Sequence, residues 1–322
     1  MTIIHPRSLE EAATHVGEYR AGGIDVEARR RIGLSDDVTI DLRQVPGLAH
    51  IDQTPDGTRI GAMTRVTAVA NRLLETYPAV GLTAASLANP HTRAVGTVGG
   101  NLLQQTRCWY YRTGDVECHK TGADGCPARA GIHHFGNIFD TSSCVAPHPS
   151  SLAVGLLLYD ARVEIHPGTI LALADLFDGV DPTSEHTLGR GEILTAVLLP
   201  PPVSAEKGSY WRATARTLAE WPMVEAACRL VLDDDRIVDA SVAVGGVAPT
   251  PLRLAAVEHA LIGATADGST FQVAASLAGE GAKPAPQAAY KRRMLEGAVL
   301  EVLERAVAGD AASEVAFHER PL

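Results

Sequence analysis

A chain of 322 residues, 46% hydrophobic and 20% charged, has the composition of a folded globular protein with room for two or three domains. Its formal net charge of −10 and pI near 5.6 argue against nucleic acid or an anionic membrane surface as the main partner. No apolar run reaches the length of a membrane span, and the start Met1-Thr2-Ile3-Ile4-His5-Pro6 lacks the basic and apolar regions of a signal peptide.

In chain order, Ser8-Leu9-Glu10-Glu11 has the pattern of a capping box and predicts a short helix ending near Tyr19. Ala21-Gly22-Gly23-Ile24-Asp25 follows as a tight glycine turn. Residues 38–42 and 59–62 read as strands, with Gly47 in the turn after the first, and helices are predicted over 68–76 and 82–88. Asn89-Pro90 stops the second helix, because a residue before proline avoids the helical region. Gly96 to Asn101 forms another glycine turn, and residues 104–150 carry no sustained period. An irregular segment of that length needs something to tie it down. Regular signals return from Leu152, with strands over 162–165 and 193–199, the latter ended by Pro200-Pro201-Pro202. That proline run and the polar residues 204–209 mark the main domain boundary. Beyond it come strands at 224–232 and 237–247, a helix over 252–262 with Gly263 as its C-cap, and a final helix over 288–307. The apolar stripe of that helix, Met294, Val299, Leu303 and Val307, reads as core packing. No internal repeat is visible.

Two features carry chemistry. Gly22-Gly23 and Gly99-Gly100 leave the backbone open to close approach, and successive N–H groups in such turns form nests for phosphate. Two nests, the second flanked by Thr97 and Asn101, suit a pyrophosphate; two ordinary turns are the plain alternative. The G-x-G-x-x-G fingerprint is absent, so a Rossmann site has no support. The second feature is the concentration of four of the five cysteines, Cys108, Cys118, Cys126 and Cys144, in the irregular segment. Their separations of nine, seven and seventeen residues match neither zinc ribbons nor bacterial ferredoxins. An intracellular chain would keep disulfides reduced. Structural zinc, with His119, His133, His134 or His148 as substitute ligands, and an iron–sulfur cluster remain level on residue types, with unligated thiols behind them. Cys228, within a strand pattern, reads as a buried inert thiol.

Taken in order, several segments resemble the flavoprotein subunit of the molybdenum hydroxylases, which include xanthine dehydrogenases, carbon monoxide dehydrogenases and aldehyde oxidoreductases. They are Ala21-Gly22-Gly23-Ile24-Asp25, Asp41-Leu42-Arg43, Ile60-Gly61-Ala62, Thr97-Val98-Gly99-Gly100-Asn101, His148-Pro149-Ser150, Glu192-Ile193-Leu194, Arg212 to Arg216, Pro251-Leu252-Arg253-Leu254 and Tyr290-Lys291-Arg292-Arg293. The run Asn101 to Gln105, then Arg107-Cys108-Trp109-Tyr110 and the three later cysteines, is similar to flavin subunits of three-subunit bacterial aldehyde oxidoreductases that carry an additional [4Fe-4S] cluster.

The resemblance implies an α+β fold of the vanillyl-alcohol-oxidase-like type. A two-part FAD-binding domain would occupy 1–203, with subdomains of about 1–53 and 54–203 and a cluster-binding insertion of about 104–147; a smaller α+β domain would occupy 204–322. It places FAD at Ala21, Gly22, Gly23, Ile24, Asp25, Val26, Thr97, Gly99, Gly100, Asn101, Ser151, Leu194 and Arg212, and the cluster on Cys108, Cys118, Cys126 and Cys144. Arg212 stands where xanthine dehydrogenases have a lysine, and two positions depart from the family: Ile24 stands where threonine is usual and Ser151 where aspartate is usual, so a readily lost flavin is expected.

By the same resemblance, substrate chemistry belongs to a large molybdenum-cofactor subunit. Electrons would pass through a small [2Fe-2S] subunit to FAD on this chain and on to an external acceptor. No catalytic acid/base set, nucleic acid or membrane insertion is expected here. The location is cytoplasmic unless a partner subunit with its own signal carries the chain to the periplasm. Two competing readings are a zinc-stabilised scaffold without redox role and a stand-alone FAD oxidase.

Overall fold

The computed structural model describes residues 2–35, 38–217 and 219–309. It has three sheets, each with its own apolar core. The first is small and parallel, with Val38–Asp41 between Thr2–Ile4 and Glu18–Arg20. Its helix Leu9–Thr14 is capped by Ser8, whose hydroxyl accepts from the Glu11 N–H at 3.1 Å. Only half of the predicted box forms, because the Glu11 carboxylate reaches the Arg7 N–H instead. The helix also stops short of Tyr19. Gly17 approaches the Val38 carbonyl so closely that a Cβ would lie 2.7 Å from its oxygen, and the chain beyond it joins the sheet as Glu18–Arg20. Parallel pairing thus overrides the local helical pattern. From the glycine turn a helix that the periodicity did not reveal, Ile24–Arg30, departs directly, with Gly23 left-handed at φ 81°.

The second sheet is antiparallel and five-stranded, in the order Ile51–Thr54, Gly57–Gly61, Ile193–Leu199, Arg162–His166 and Thr169–Ala172. The first hairpin turns at Pro55-Asp56-Gly57, a turn signal that marks an extra strand before the predicted one. Helices Val66–Leu73, Pro78–Ser86 and Ser151–Leu157 contribute Leu73, Val80, Leu152 and Leu156 to the core beneath it. The helix Pro78–Ser86 starts with its proline at the first turn, where the missing N–H costs nothing. Asn89-Pro90 both ends this region and opens a further short helix, Pro90–Val95, capped by Asn89.

The third sheet, Lys207–Ala213, Val224–Asp233, Arg236–Gly245 and Leu252–Arg253, is an antiparallel meander covered by helices Ala255–Leu261, Gly268–Ser276 and Tyr290–Ala308. Its first strand begins inside the stretch that reads as a polar linker, and the predicted helix over 252–262 opens as the edge strand Leu252–Arg253. Val299 and Leu303 are fully buried and Met294 packs against the same core, whereas Val307 stands outside it at 36% exposure. Cys228 is enclosed, its thiol donating to the Val302 carbonyl, and burial pushes it up to about 12.

Residues 104–150 stay irregular apart from the short turns His119–Thr121 and Pro127–Ala130 and the start of the segment's exit at Ser150. The segment is nevertheless held firmly by the third sheet and its last helix. The N–H groups of Ile138 and Phe139 donate to the Val247 carbonyl, and the His148 N–H donates to that of Ala248. Lys291, 1% exposed, donates from Nζ to the carbonyls of Phe135 and Gly246 at 2.9 and 2.8 Å, and the Tyr290 hydroxyl donates to that of His134. No helix among the described residues is long and apolar enough to cross a membrane.

Two expectations follow. Alanine normally stabilises a helix over glycine by about 1 kcal/mol, but a Cβ at Gly81 would meet Leu74 Cα at 2.4 Å. Gly81→Ala should therefore destabilise, by about 1–3 kcal/mol in denaturant unfolding, the range for overpacking. Lys291 has its affinity for a proton lowered to about 7 by burial, while an unfolded lysine keeps its proton to about 10.4. Between those values the unfolded chain binds more protons, so this group's contribution to stability rises with pH. Lys291→Met should flatten the rise in unfolding free energy between pH 7 and pH 10; an unchanged slope would show that Lys291 is not its source.

Candidate functional site

A cleft of 860 Å³ runs between the small parallel-sheet lobe and the antiparallel lobe, in the size range of cofactor pockets. The two glycine segments meet along it. A Cβ on Gly22 would lie 2.4 Å from the Val95 carbonyl oxygen, and one on Gly100 would lie 3.6 Å from Ala21 Cβ. Glycine is needed at Gly22 because backbone occupies the space a side chain would fill. Gly23 has no side chain to cap the helix it opens, and the N–H groups of Ile24, Asp25 and Val26 find no acceptor among the described residues. These three residues line the cleft, and their N–H groups remain available to an anion.

The second glycine segment differs from its sequence reading. It is the first turn of a helix, Val98–Leu102, capped by the Thr97 hydroxyl. The N–H of Val98 donates to Thr64 O, that of Gly99 to Ala62 O at 2.8 Å, that of Gly100 to Thr97 Oγ1 at 3.2 Å and that of Asn101 to Thr97 O. A free nest is therefore absent on this side: the donors that a phosphate would need are already paired. The Asn101 carboxamide oxygen accepts from the Ser150 hydroxyl at 2.7 Å, which fixes its orientation at the cleft wall.

Of the thirteen residues predicted to touch a flavin, twelve line this cleft: Ala21 through Val26, Thr97, Gly99, Gly100, Asn101, Leu194 and Arg212. Ser151 does not. It is fully buried at the start of helix Ser151–Leu157, beside the Tyr210 hydroxyl and the Glu225 carboxyl, and so corrects the expectation of a cleft-lining hydroxyl. Burial pushes Glu225 up, Arg212 pulls it back, and the Tyr210 hydroxyl donates to it at 2.5 Å. Arg212 is held by the carbonyls of Ser86 and Glu220, while its buried Nε has no partner among the described residues. The cleft also includes Gln104, Arg107, Glu220 and Trp221, which the sequence reading left out. Arg107 lies over the Trp221 ring at 4.4 Å, and burial lowers it to about 10 against the pull of Asp25.

Asp25 occupies an unexpected position. It is 12% exposed in its side chain and accepts from Arg29 Nε at 2.9 Å, Arg112 Nη2 at 2.7 Å and the Gln105 N–H at 3.2 Å, with Arg107 Nη2 paired to it at 3.1 Å. Three of these partners belong to the segment that leads into the cysteines. A second buried pair, Lys120 with Glu185 at 2.8 Å, anchors the middle of the cysteine segment, and the Glu185 carboxylate also accepts from the Thr106 N–H.

All four cysteines of that segment are free of disulfides. Cys126 and Cys144 act on each other, which draws Cys126 down and, with burial, pushes Cys144 up. Nearby backbone N–H groups act to lower all three thiols: those of Val145, Ala128 and Arg129 at Cys126, those of Tyr111 and Tyr110 at Cys108, and that of Ala146 at Cys144. Cys108 is raised by burial and is close enough to feel Cys126 and Cys118. Among the described residues no group of three His, Cys, Asp or Glu side chains is drawn together tightly enough to hold a metal ion. Two of the histidines offered as substitute ligands have structural partners. His133 contacts the carbonyls of Ala128 and Gly131 and the Gln287 N–H; His148 is fully buried, accepts from the Ser150 N–H and packs on Phe177.

Residues 1–202 match the FAD binding domain in molybdopterin dehydrogenase, and residues 209–306 match the CO dehydrogenase flavoprotein C-terminal domain. The FAD-binding subunit PaoB of an aldehyde oxidoreductase from Escherichia coli is 34% identical over 67% of this chain and 70% of its own length. The carbon monoxide dehydrogenase medium chain of Afipia carboxidovorans is 25% identical over 84% of this chain and 81% of its own. Among solved structures, quinoline 2-oxidoreductase from Pseudomonas putida 86 superposes with a TM-score of 0.74 at 21% identity, covering 96% of this chain and 97% of that one, which bears out the α+β flavoprotein architecture. With both halves matched and the cleft lined as described, this chain belongs to the FAD-binding subunits of the molybdopterin dehydrogenases and is an oxidoreductase subunit.

Proposed function

We propose that this chain carries FAD and a [4Fe-4S] cluster as the electron-transfer subunit of a molybdenum-containing hydroxylase, of the aldehyde oxidoreductase type. Its partners would be a large molybdenum-cofactor subunit and a small [2Fe-2S] subunit. The observation that carries the reading is the cleft itself: twelve family positions for a flavin converge on one cavity whose first glycine turn offers unpaired N–H donors. The 34% identity to the flavin subunit of an aldehyde oxidoreductase supports the substrate class.

FAD, when bound, supplies the redox chemistry, and the protein supplies orientation and electronic tuning. The N–H groups of Ile24, Asp25 and Val26 would receive the pyrophosphate. Because the donors of the second glycine segment are paired internally, that segment would contribute close backbone approach and the oriented Asn101 side chain rather than a nest. Leu194, Leu42, Leu48 and Ile193 give the cleft an apolar lining that excludes water, and Arg212 adds a buried cation to it. With Ile24 offering no hydroxyl and Ser151 outside the cleft, polar anchoring is sparse and the flavin should dissociate readily.

The thiol segment fits a cluster on the chemistry of its donors. Neighbouring backbone N–H groups favour thiolates at Cys108, Cys126 and Cys144 while burial opposes them at all three, and hydrogen bonds to sulfur are a recognised control on cluster potential. Cys118 completes the set of four.

Purified complex should contain flavin, iron and molybdenum, and dilution should strip FAD before iron; colourless protein with zinc in place of iron and flavin would overturn the proposal. Cys126→Ser should abolish the iron assigned to this subunit. If the cluster is an obligatory relay, flavin reduction by substrate should fall by orders of magnitude in that variant; retained reduction at near-native rate would restrict the cluster to holding residues 104–147 in place.

A further inference from the structure

On the assignment of FAD and cluster made above, we propose that Asp25 is a positioning residue that locks the flavin loop to the thiolate loop, so that filling the thiolate site tightens FAD binding.

Asp25 sits in the first turn of the helix that leaves the glycine turn, between Ile24 and Val26, whose N–H groups line the cleft unpaired. Its carboxylate does not cap that helix. It is taken up by Arg29 from its own helix and by Gln105, Arg107 and Arg112 from the segment entering the cysteines. Arg112 binds the first cysteine turn at several points. Its N–H donates to Cys108 O at 3.0 Å, its Nε to Thr106 O at 2.8 Å and its Nη2 to Gln105 O at 3.0 Å. Whatever holds Cys108 in place therefore holds Arg107 and Arg112 as well, and through them the start of the flavin-loop helix. With Asp25 only 12% exposed, these charge-assisted bonds are little screened by water.

An unligated cysteine segment of this length gains conformational freedom, and restoring order would then fall on the FAD-binding step. Coupling of this kind is reciprocal between the two sites. Plain electrostatics makes the opposite demand. A carboxylate beside a pyrophosphate repels it, so a purely electrostatic Asp25 would weaken FAD, and removing its charge would strengthen binding. The two roles differ in sign.

The test measures the FAD dissociation constant, by flavin fluorescence, on intact complex stripped of flavin, in four forms: native, Cys126→Ser, Asp25→Asn, and both together. Iron is assayed in each. Cys126→Ser should weaken FAD about tenfold in the native background, a typical coupling factor. Asp25→Asn should weaken FAD by a similar factor, and in its background Cys126→Ser should change the constant less than about twofold. Equal responses in both backgrounds, no response in either, or tighter FAD on Asp25→Asn would overturn the lock while leaving the cofactor assignment intact. Native complex without FAD or without iron would overturn both. Should Asp25→Asn fail to assemble, Arg112→Gln breaks the same link from the cysteine side and leaves Arg29 on Asp25. With Arg107 and the Gln105 N–H still on Asp25 it should weaken the coupling, and coupling of full native strength there would overturn the lock.

Discussion

One carboxylate joins the parts of this molecule that matter most to one another. Asp25 gathers Arg29, Arg107 and Arg112 together with the Gln105 N–H at a point where the small parallel-sheet lobe, the wall of the cleft and the entrance to the cysteine segment meet. Partly buried cations need a partner, because an unpaired buried charge costs several kcal/mol. Arg107 illustrates this: burial disfavours its charge, and the facing carboxylate opposes that. Charge pairing thereby helps to set the placement of the glycine turn relative to the thiols.

The cysteine segment is irregular without being loose. Its first part is tied to Asp25, its middle to Glu185 through Lys120, and its last part to the third sheet through Val247, Ala248 and Lys291. Lys291 is a costly tie, since burying an ammonium with only carbonyl partners strips most of its hydration. Its place in the family-like run Tyr290-Lys291-Arg292-Arg293 gains a physical sense here: Tyr290 and Lys291 both donate to backbone carbonyls of the segment, at His134 and Phe135. The C-terminal unit thus serves the cofactor region by bracing it from behind.

How much was legible beforehand differs by element. The strands over 38–41 and 193–199, the long C-terminal helix and the turn at Gly47 follow from local patterns, and each appears. The strand Glu18–Arg20 was hidden because its residues look helical in isolation, and only the neighbouring Val38–Asp41 edge makes extension favourable. Helix Ile24–Arg30 was masked by the glycine pair that launches it, and the Pro55-Asp56-Gly57 turn was a usable signal for the hairpin that precedes the predicted strand. Val307 fits the apolar stripe by spacing but lies past the last neighbour able to cover it. Within the site, Gln104, Arg107 and Trp221 were overlooked because nothing in their spacing links residues more than a hundred positions apart to one pocket.

By itself the sequence determined which backbone positions must be glycine, where thiols are concentrated, and the order of motifs that identifies the family, since these depend on residue type and local conformation. The tertiary structure decided three other matters. The first glycine turn has free donors and the second does not, because Ala62 and Thr97 consume the latter. Ser151 is enclosed by Tyr210 and Glu225 and stays out of the cleft. Asp25 faces the cysteine segment. Each outcome depends on which distant groups compete for the same hydrogen bond or charge, and no local pattern records that competition.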